Sequence, residues 1–424
     1  MKTPRRTTRI LAGCFLIGAA ALLCAAPAGA ASRSYTVYAT DGYVTMADGN
    51  KTYMFGFNDT GVMGQIQFPA PLIWANVGDT VNVTLFNLGF KYRPDLTDPH
   101  TIHLHGMHVS PYFDGFPEGS FGVPMGASFT YTFVPSHEGS FIYHCHVEAV
   151  EHVQMGMYGP LVIYSGAPKK AYGQSYTKEY IWILSELDSR WHHSLEPGAA
   201  ELNIPEALQT YPPIGAAEWL RVNYRPDYWL INGMGFPDTI RAGAELPIRT
   251  YGADGTLSGI QAGITVANGN LPHAGLQQSA LLDVLADEPV LVRLINIGYE
   301  AHPMHMHGED YDILASDGNP LPHLQIAGRR GDAAKYEKFT INIASGETYD
   351  ALVDFDSMHL CRNLSTVPNG GVSPFPDETS PFYDPNGPLF FPAHCHDDYH
   401  VTNQGVYPGG MTTLVKVARP VCAP

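Results

Sequence analysis

Residues 143–157 read YHCHVEAVEHVQMGM, a cysteine between two histidines with His152 and Met157 close behind. A β-strand alternates its faces, so residues i and i+2 point the same way. His144 and His146 therefore share one face, and Cys145 takes the other. Two imidazoles, a thiolate and a weak thioether form the donor set of a copper electron-transfer site. His100, His152, Cys145 and Met157 supply that set. A structural zinc site would usually add more cysteine and would not need methionine. The tripeptide recurs as His394-Cys395-His396, with His302 upstream and His400 downstream. There the thioether candidate, Met411, stands further along the chain from its histidine. A changed or missing axial donor therefore stays open for the second site.

Two further histidine pairs precede these tripeptides: His103 and His105 in HTIHLHG (100–106), and His305 and His307 in HPMHMHG (302–308). One such pair is ordinarily a surface or core feature. Four pairs in repeated order point to metal. Imidazole alone does not choose among zinc, copper, iron and nickel; the cysteines do. The order VNVTLFNLG, HTIHLHG, FIYHCHV in the first half returns as VLVRLINIG, HPMHMHG, FPAHCHD in the second. This internal repeat predicts two homologous β domains.

The elements that must position these residues are short strands. Charged residues make up only 15% of the chain, and 43 Gly with 34 Pro mark frequent turns, which favours an all-β protein. Domain 1 is expected over residues 32–165. A connection over 166–225 carries one strand, YIWILSEL. Domain 2 is expected over 226–424, opening on YWLINGMGFPDTI, with an insertion at about 241–285. The alternative for that stretch is the remains of a third domain.

Residues 1–30 read as a leader: a basic start, an apolar run and the small triplet Ala28-Gly29-Ala30. An exported protein, periplasmic or extracellular, without a retained membrane anchor is expected. Losing the leader removes Lys2, Arg5, Arg6 and Arg9 and no acid, taking the formal charge from −17 to −21. That balance speaks against binding nucleic acid or anionic membranes. Cys14 and Cys24 leave with the leader. Cys361 and Cys422 lack neighbouring histidines, and in an exported chain a disulfide between them is expected, with two free thiols as the alternative.

The doubled H-x-H and H-C-H motifs resemble those of the multicopper oxidase superfamily, and HPMHMHG is similar to that family's HPxHLHG signature. With two repeats and no evident third copper-bearing domain, the chain looks most like a two-domain bacterial laccase-type enzyme. The resemblance implies two cupredoxin-like Greek-key sandwiches. It implies type 2 copper on His103 and His305, and a binuclear type 3 pair on His105, His144, His146, His307, His394 and His396. One type 1 copper would sit on His100, Cys145, His152 and Met157, another on His302, Cys395, His400 and Met411. Six residues separate Cys145 from His152, where most laccases have four; Cys395 and His400 keep the four. The implied activity is oxidation of a small donor (phenol, aromatic amine or metal ion) at type 1 copper, coupled to reduction of O2 to water at the three-copper cluster. Asp114 and Glu151 resemble acids that serve proton delivery in the family. Two-domain relatives imply a homotrimer, with clusters formed between subunits. A metal-ion oxidase of the same mechanism is the nearest alternative. A copper nitrite reductase would need only three histidines at its type 2 copper and would lack the doubled H-C-H. A non-catalytic copper-binding protein is the remaining alternative.

Overall fold

The strand Thr80–Asn87 alternates buried residues with more exposed ones along its whole length, the signature of a sheet with one face on a core. The computed structural model describes residues 30–199, 216–240, 250–251, 257–259, 279–322, 336–366 and 387–422. The expected leader lies, up to residue 29, outside them. No helix among the described residues is long and apolar enough to cross a membrane.

The first sandwich uses β1 (Ser32–Thr45), β2 (Lys51–Asn58), β3 (Ile73–Asn76), β4 (Thr80–Asn87), β5 (His103–His105), β6 (Ser128–Phe133), β7 (Gly139–His144) and β8 (Tyr158–Tyr164). One sheet runs β2-β1-β4-β6 and the other β3-β8-β7-β5. Val83 and Tyr131 from the first meet Leu104, Phe141, Tyr143 and Leu161 from the second in one core. A short helix, α1 (Ala149–Gln154), follows β7.

The second sandwich repeats this plan with β9 (Lys178–Leu187), β10 (Tyr228–Ile231), β11 (Leu282–Val284), β12 (Val290–Asn296), β13 (His302–Met306), β14 (Tyr311–Ser316), β15 (Thr340–Ile343), β16 (Thr348–Val353), β17 (Leu389–Cys395) and β18 (Thr412–Val417). One sheet runs β10-β9-β12-β16-β14, and the other β11-β18-β17-β13-β15. The pairing of β1, antiparallel with β2 and parallel with β4, is matched by β9 with β10 and β12. The all-β, two-sandwich expectation is thus met.

The expected boundary is not. YIWILSEL is no part of a connection: it is the first strand of the second sandwich, and YWLI is its second. The strand is covered on both faces. Trp182 and Leu184 enter the second core, and Ile181 and Ile183 enter a third core between the domains. Burial on both sides writes a continuous apolar run, without the alternation that marks a half-exposed strand. The expected insertion also ends early, since Leu282–Val284 pairs in parallel with β18. Thr250–Tyr251 pairs with Leu257–Gly259; most of the remaining stretch lies outside the described residues.

The third core orders the four sheets. Ile142, Tyr158 and Val162 on the outer face of β3-β8-β7-β5 pack on Ile181, Leu230 and Ile295 of the β9 sheet. The β13–β17 sheet therefore lies outermost, away from domain 1. A buried ion network reinforces the joint. Arg293 pairs with Glu179 and with Asp350 (3.1 Å), while Ser140 of β7 donates to Asp350 and Thr348 Oγ1 donates to Ser140 O at 2.8 Å. Cys361, on α2 (Ser357–Thr366), and Cys422 form the expected disulfide.

Candidate metal centres

Each cysteine sits where the strand alternation sends it. Cys145 and Met157 lie in the first core, Cys395 and Met411 in the second, and none is exposed to solvent. Cys145 Sγ is 3.2 Å from His152 Nδ1 and 3.8 Å from His100 Nδ1. Cys395 Sγ is 3.2 Å from His400 Nδ1 and 3.9 Å from His302 Nδ1. Burial pushes the two thiols up to about 11 and about 12. It holds His152 down to about 4 and His100 well below its ordinary value. Burial thus favours the neutral, ligating form of His100 and His152, whereas a bound cation must displace each thiol proton.

The displaced methionine is brought back into register. The Cys145 N–H donates to Met157 O at 3.0 Å, and the Cys395 N–H donates to Met411 O at 3.0 Å. Met157 N–H in turn donates to His152 O (2.9 Å) and Met411 N–H to His400 O (2.8 Å). The longer stretch between His400 and Met411 is taken up by an excursion closed on Asn403, whose Oδ1 accepts from Gly410 N. Met157 and Met411 thus hold the same backbone position relative to their cysteine and histidine.

The remaining histidines gather on the outer faces of the same strands, in two separate groups. In domain 1, ring centroids of His103 lie 5.0 Å from His144 and 5.1 Å from His146, and His105 lies 5.8 Å from His144. In domain 2, His305 lies 5.2 Å from His396 and 4.8 Å from His307. The Nδ1 atoms of His103 and His305 each sit 2.7 Å from a backbone carbonyl, of Asp114 and Phe339. Those of His144 and His394 face the Cys145 and Cys395 carbonyls at 3.0 and 2.9 Å. Donation from Nδ1 leaves Nε2 as the free lone pair. Nε2 atoms of His307 and His394 stand 3.2 Å apart, a separation that suits a shared cation. His144 is buried, and burial presses it down to about 3. The domain 2 group is open to solvent, with His307 and His396 exposed.

The sequence-selected acids divide. Asp114 Oδ2 lies 3.4 Å from His103 Nδ1, so this carboxylate does reach a cluster histidine. Gly115 makes that approach possible: its φ is +76°, and a Cβ there would fall 2.1 Å from Ile102 O. Glu151 goes elsewhere. It is buried on α1, on the cysteine side, and accepts from Arg221 Nη2 at 2.6 Å. Its raised pKa reflects burial, opposed by that arginine. Among the described residues its carboxylate pairs with Arg221 and with no histidine of the H-x-H or H-C-H motifs. Residues that sequence reading missed include Thr101, whose N–H donates to Cys145 Sγ at 3.4 Å. Glu186, Glu300 and Asp397 around the second site were also missed. Glu186 is remote in sequence from every motif, so no spacing signal could find it.

A multicopper oxidase family profile matches residues 39–168. Laccase-1 of Cryptococcus neoformans is 31% identical over 163 residues, 37% of this chain and 24% of that protein. Copper resistance protein A of Pseudomonas syringae is 34% identical over 119 residues, 28% of this chain and 18% of that one. The chain thus matches a quarter or less of the length of these relatives. Among solved structures, a blue copper oxidase from Nitrosomonas europaea aligns with a TM-score of 0.58 and 25% identity, covering 91% of this chain and 86% of that one.

Proposed function

This chain belongs to the multicopper oxidase superfamily, and from that premise we propose that it couples one-electron oxidation of a small donor to four-electron reduction of O2 to water. The observation that carries the reading is the doubled H-C-H. Each buried cysteine shares its backbone with two histidines on the opposite face of the strand. Bound copper supplies the one-electron chemistry and the site of O2 reduction. The chain supplies everything that orients it. His100, Cys145, His152 and Met157 hold one type 1 copper; His302, Cys395, His400 and Met411 hold another. His103 and His305 serve the type 2 position, and His105, His144, His146, His307, His394 and His396 the type 3 pair.

The two histidine groups belong to different faces of the molecule. His105 meets Gly346 of its own chain: a Cβ on that glycine would lie 3.3 Å from His105 Cε1. Gly346 lies beyond the end of β15 that pairs with His302, whereas His305 pairs at the other end. The domain 2 group also lies beyond both sheets of its sandwich, which stack about 10 Å apart. A complete cluster then needs a second copy, and we read the protein as a homotrimer closed head to tail. Exposed apolar residues rim both groups: Phe116, packed 5.0 Å from His146, and Phe339, 5.9 Å from His305.

Asp114 is assigned to proton delivery and to holding His103. Asp114→Asn is expected to keep full copper loading and lower turnover by about a hundredfold, the ordinary yield of one positioned acid or base. Unchanged turnover at equal copper content would remove Asp114 from the mechanism.

The donor is a phenol, an aromatic amine or a metal ion. Glu300 and Asp397 lie 3.3 and 3.5 Å from His400 Nε2, and these carboxylates favour keeping cationic donors in view. The deciding measurement is O2 uptake by copper-loaded protein with phenolic, arylamine, Cu(I), Fe(II) and Mn(II) donors. Uptake with at least one is expected. None with any would favour a non-catalytic copper-binding protein. Export is the corresponding reading of place, supported by the leader-like start and the disulfide.

A further inference from the structure

We propose that Glu186 is the positioning residue of the second cysteine site, and that it makes the two copper centres of one chain unequal, the Cys395 centre having the lower reduction potential. The inference rests on the copper reading above. His302 directs Nδ1 to Cys395 and Nε2 to Glu186 Oε2, at 2.9 Å. Both side chains are fully buried. The carboxylate is held by three further donors: the backbone N–H groups of Tyr299 and of Glu300 (3.1 Å), and the Tyr224 hydroxyl (3.0 Å). Its seat exists only because residue 298 is glycine, since a Cβ there would fall 1.9 Å from Glu186 Oε2. A carboxylate accepting the outer N–H of a ligating histidine locks its tautomer and orientation and raises its basicity. A buried negative charge also favours the dication over the monocation, through a low-dielectric medium.

The internal repeat supplies the comparison. Ala39 pairs with Asn87 as Leu184 pairs with Asn296. Both asparagines accept from a glycine N–H two residues on, at 2.9 Å. Asp41 is therefore the counterpart of Glu186. It is one methylene shorter, and its oxygens accept from the N–H groups of Lys91, Tyr92 and Arg93 and from the Tyr53 hydroxyl. Among the described residues no carboxylate meets His100, against which the ring of Phe90 packs at 5.5 Å. The same sign recurs at three other places. His152 Nε2 is buried without a hydrogen-bond partner, whereas His400 Nε2 faces Glu300 and Asp397. The nearby Glu151 is neutralised by Arg221. Thr101 N–H donates to Cys145 Sγ, but the matching residue is Pro303, which has no N–H to give. A hydrogen bond to the cysteine sulfur tunes the potential of such a centre; withdrawing thiolate charge favours the reduced metal. The step concerned is the gain of one electron, Cu2+ to Cu+, with the proton staying between His302 and Glu186.

The test is a redox titration of the copper–thiolate absorption of the full copper-loaded chain. Wild type should give two one-electron steps, and Cys395→Ser should remove the lower. Glu186→Gln should raise the lower centre's reduction equilibrium constant about tenfold, 59 mV for one electron, and leave the other step in place. Glu186→Asp, which withdraws the carboxylate as at Asp41, should move it the same way while keeping the charge. Coincident potentials, a lower step that survives Cys395→Ser, or a lower step unmoved by Glu186→Gln would each overturn the proposal. Should substitution at 186 prevent folding, the wild-type and Cys395→Ser titrations still decide the inequality. Copper-loaded wild type without thiolate absorption would overturn the copper reading itself, and this inference with it.

Discussion

Cys145→Ser and Cys395→Ser are each expected to remove one copper per chain and about half of the copper–thiolate absorption, while the double variant loses all of it. Serine fits the volume of each buried site, so the sandwiches should persist. Its hydroxyl is a hard, weakly acidic donor and does not replace a soft thiolate. The remaining imidazoles and thioether cannot hold the metal in an equivalent state. With both cysteines gone, electrons from the donor lose their entry and the covalent connection to the histidines on the other face. O2 uptake should fall below about one hundredth of wild type, more than ~2.7 kcal/mol of activation free energy. The singles are the more informative measurement. If Cys145→Ser alone abolished all the absorption, the second site would hold no blue copper, and Met411 would lose its assigned role.

Mixing two inactive variants should restore activity. His105→Ala with His144→Ala takes two of the four histidines from the domain 1 group; His307→Ala with His394→Ala takes two of the four from the domain 2 group. Each homogeneous protein is expected to be inactive, because every cluster then lacks two of its eight histidines. In trimers reassembled from equal amounts, an intact domain 1 group faces an intact domain 2 group at about one interface in four. About a quarter of wild-type O2 uptake should return. Clusters completed within a single chain would return none. Sedimentation of the wild type provides the companion check, and a fully active monomer would contradict the head-to-tail arrangement.

Much of the site was legible before any coordinates. The assignment of Cys145 to one face and His144 and His146 to the other needed only the two-residue period of a strand. The repeat located Cys395 and its flanking histidines by the same rule. The register of Met411 was harder to read, because the longer loop hid it. It became plain once Cys395 N–H and Met411 O proved to pair as Cys145 N–H and Met157 O do. Glu151 is a related case. Its place beside His152 in sequence says nothing about which side of β7 its carboxylate reaches, and it reaches Arg221.

What the amino-acid order determined by itself was the type of each candidate donor and its division between strand faces, because both follow from residue type and local alternation. What only the tertiary structure decided was which distant elements meet those donors. Glu186 lies under His302 because β9 pairs beside β12 and Gly298 leaves it room. The two histidine groups lie apart because the apolar face of β9 binds the sandwiches together, turning the β13–β17 sheet outward. Such contacts depend on strand pairing and sheet stacking across long loops, and no short-range period in the chain encodes them.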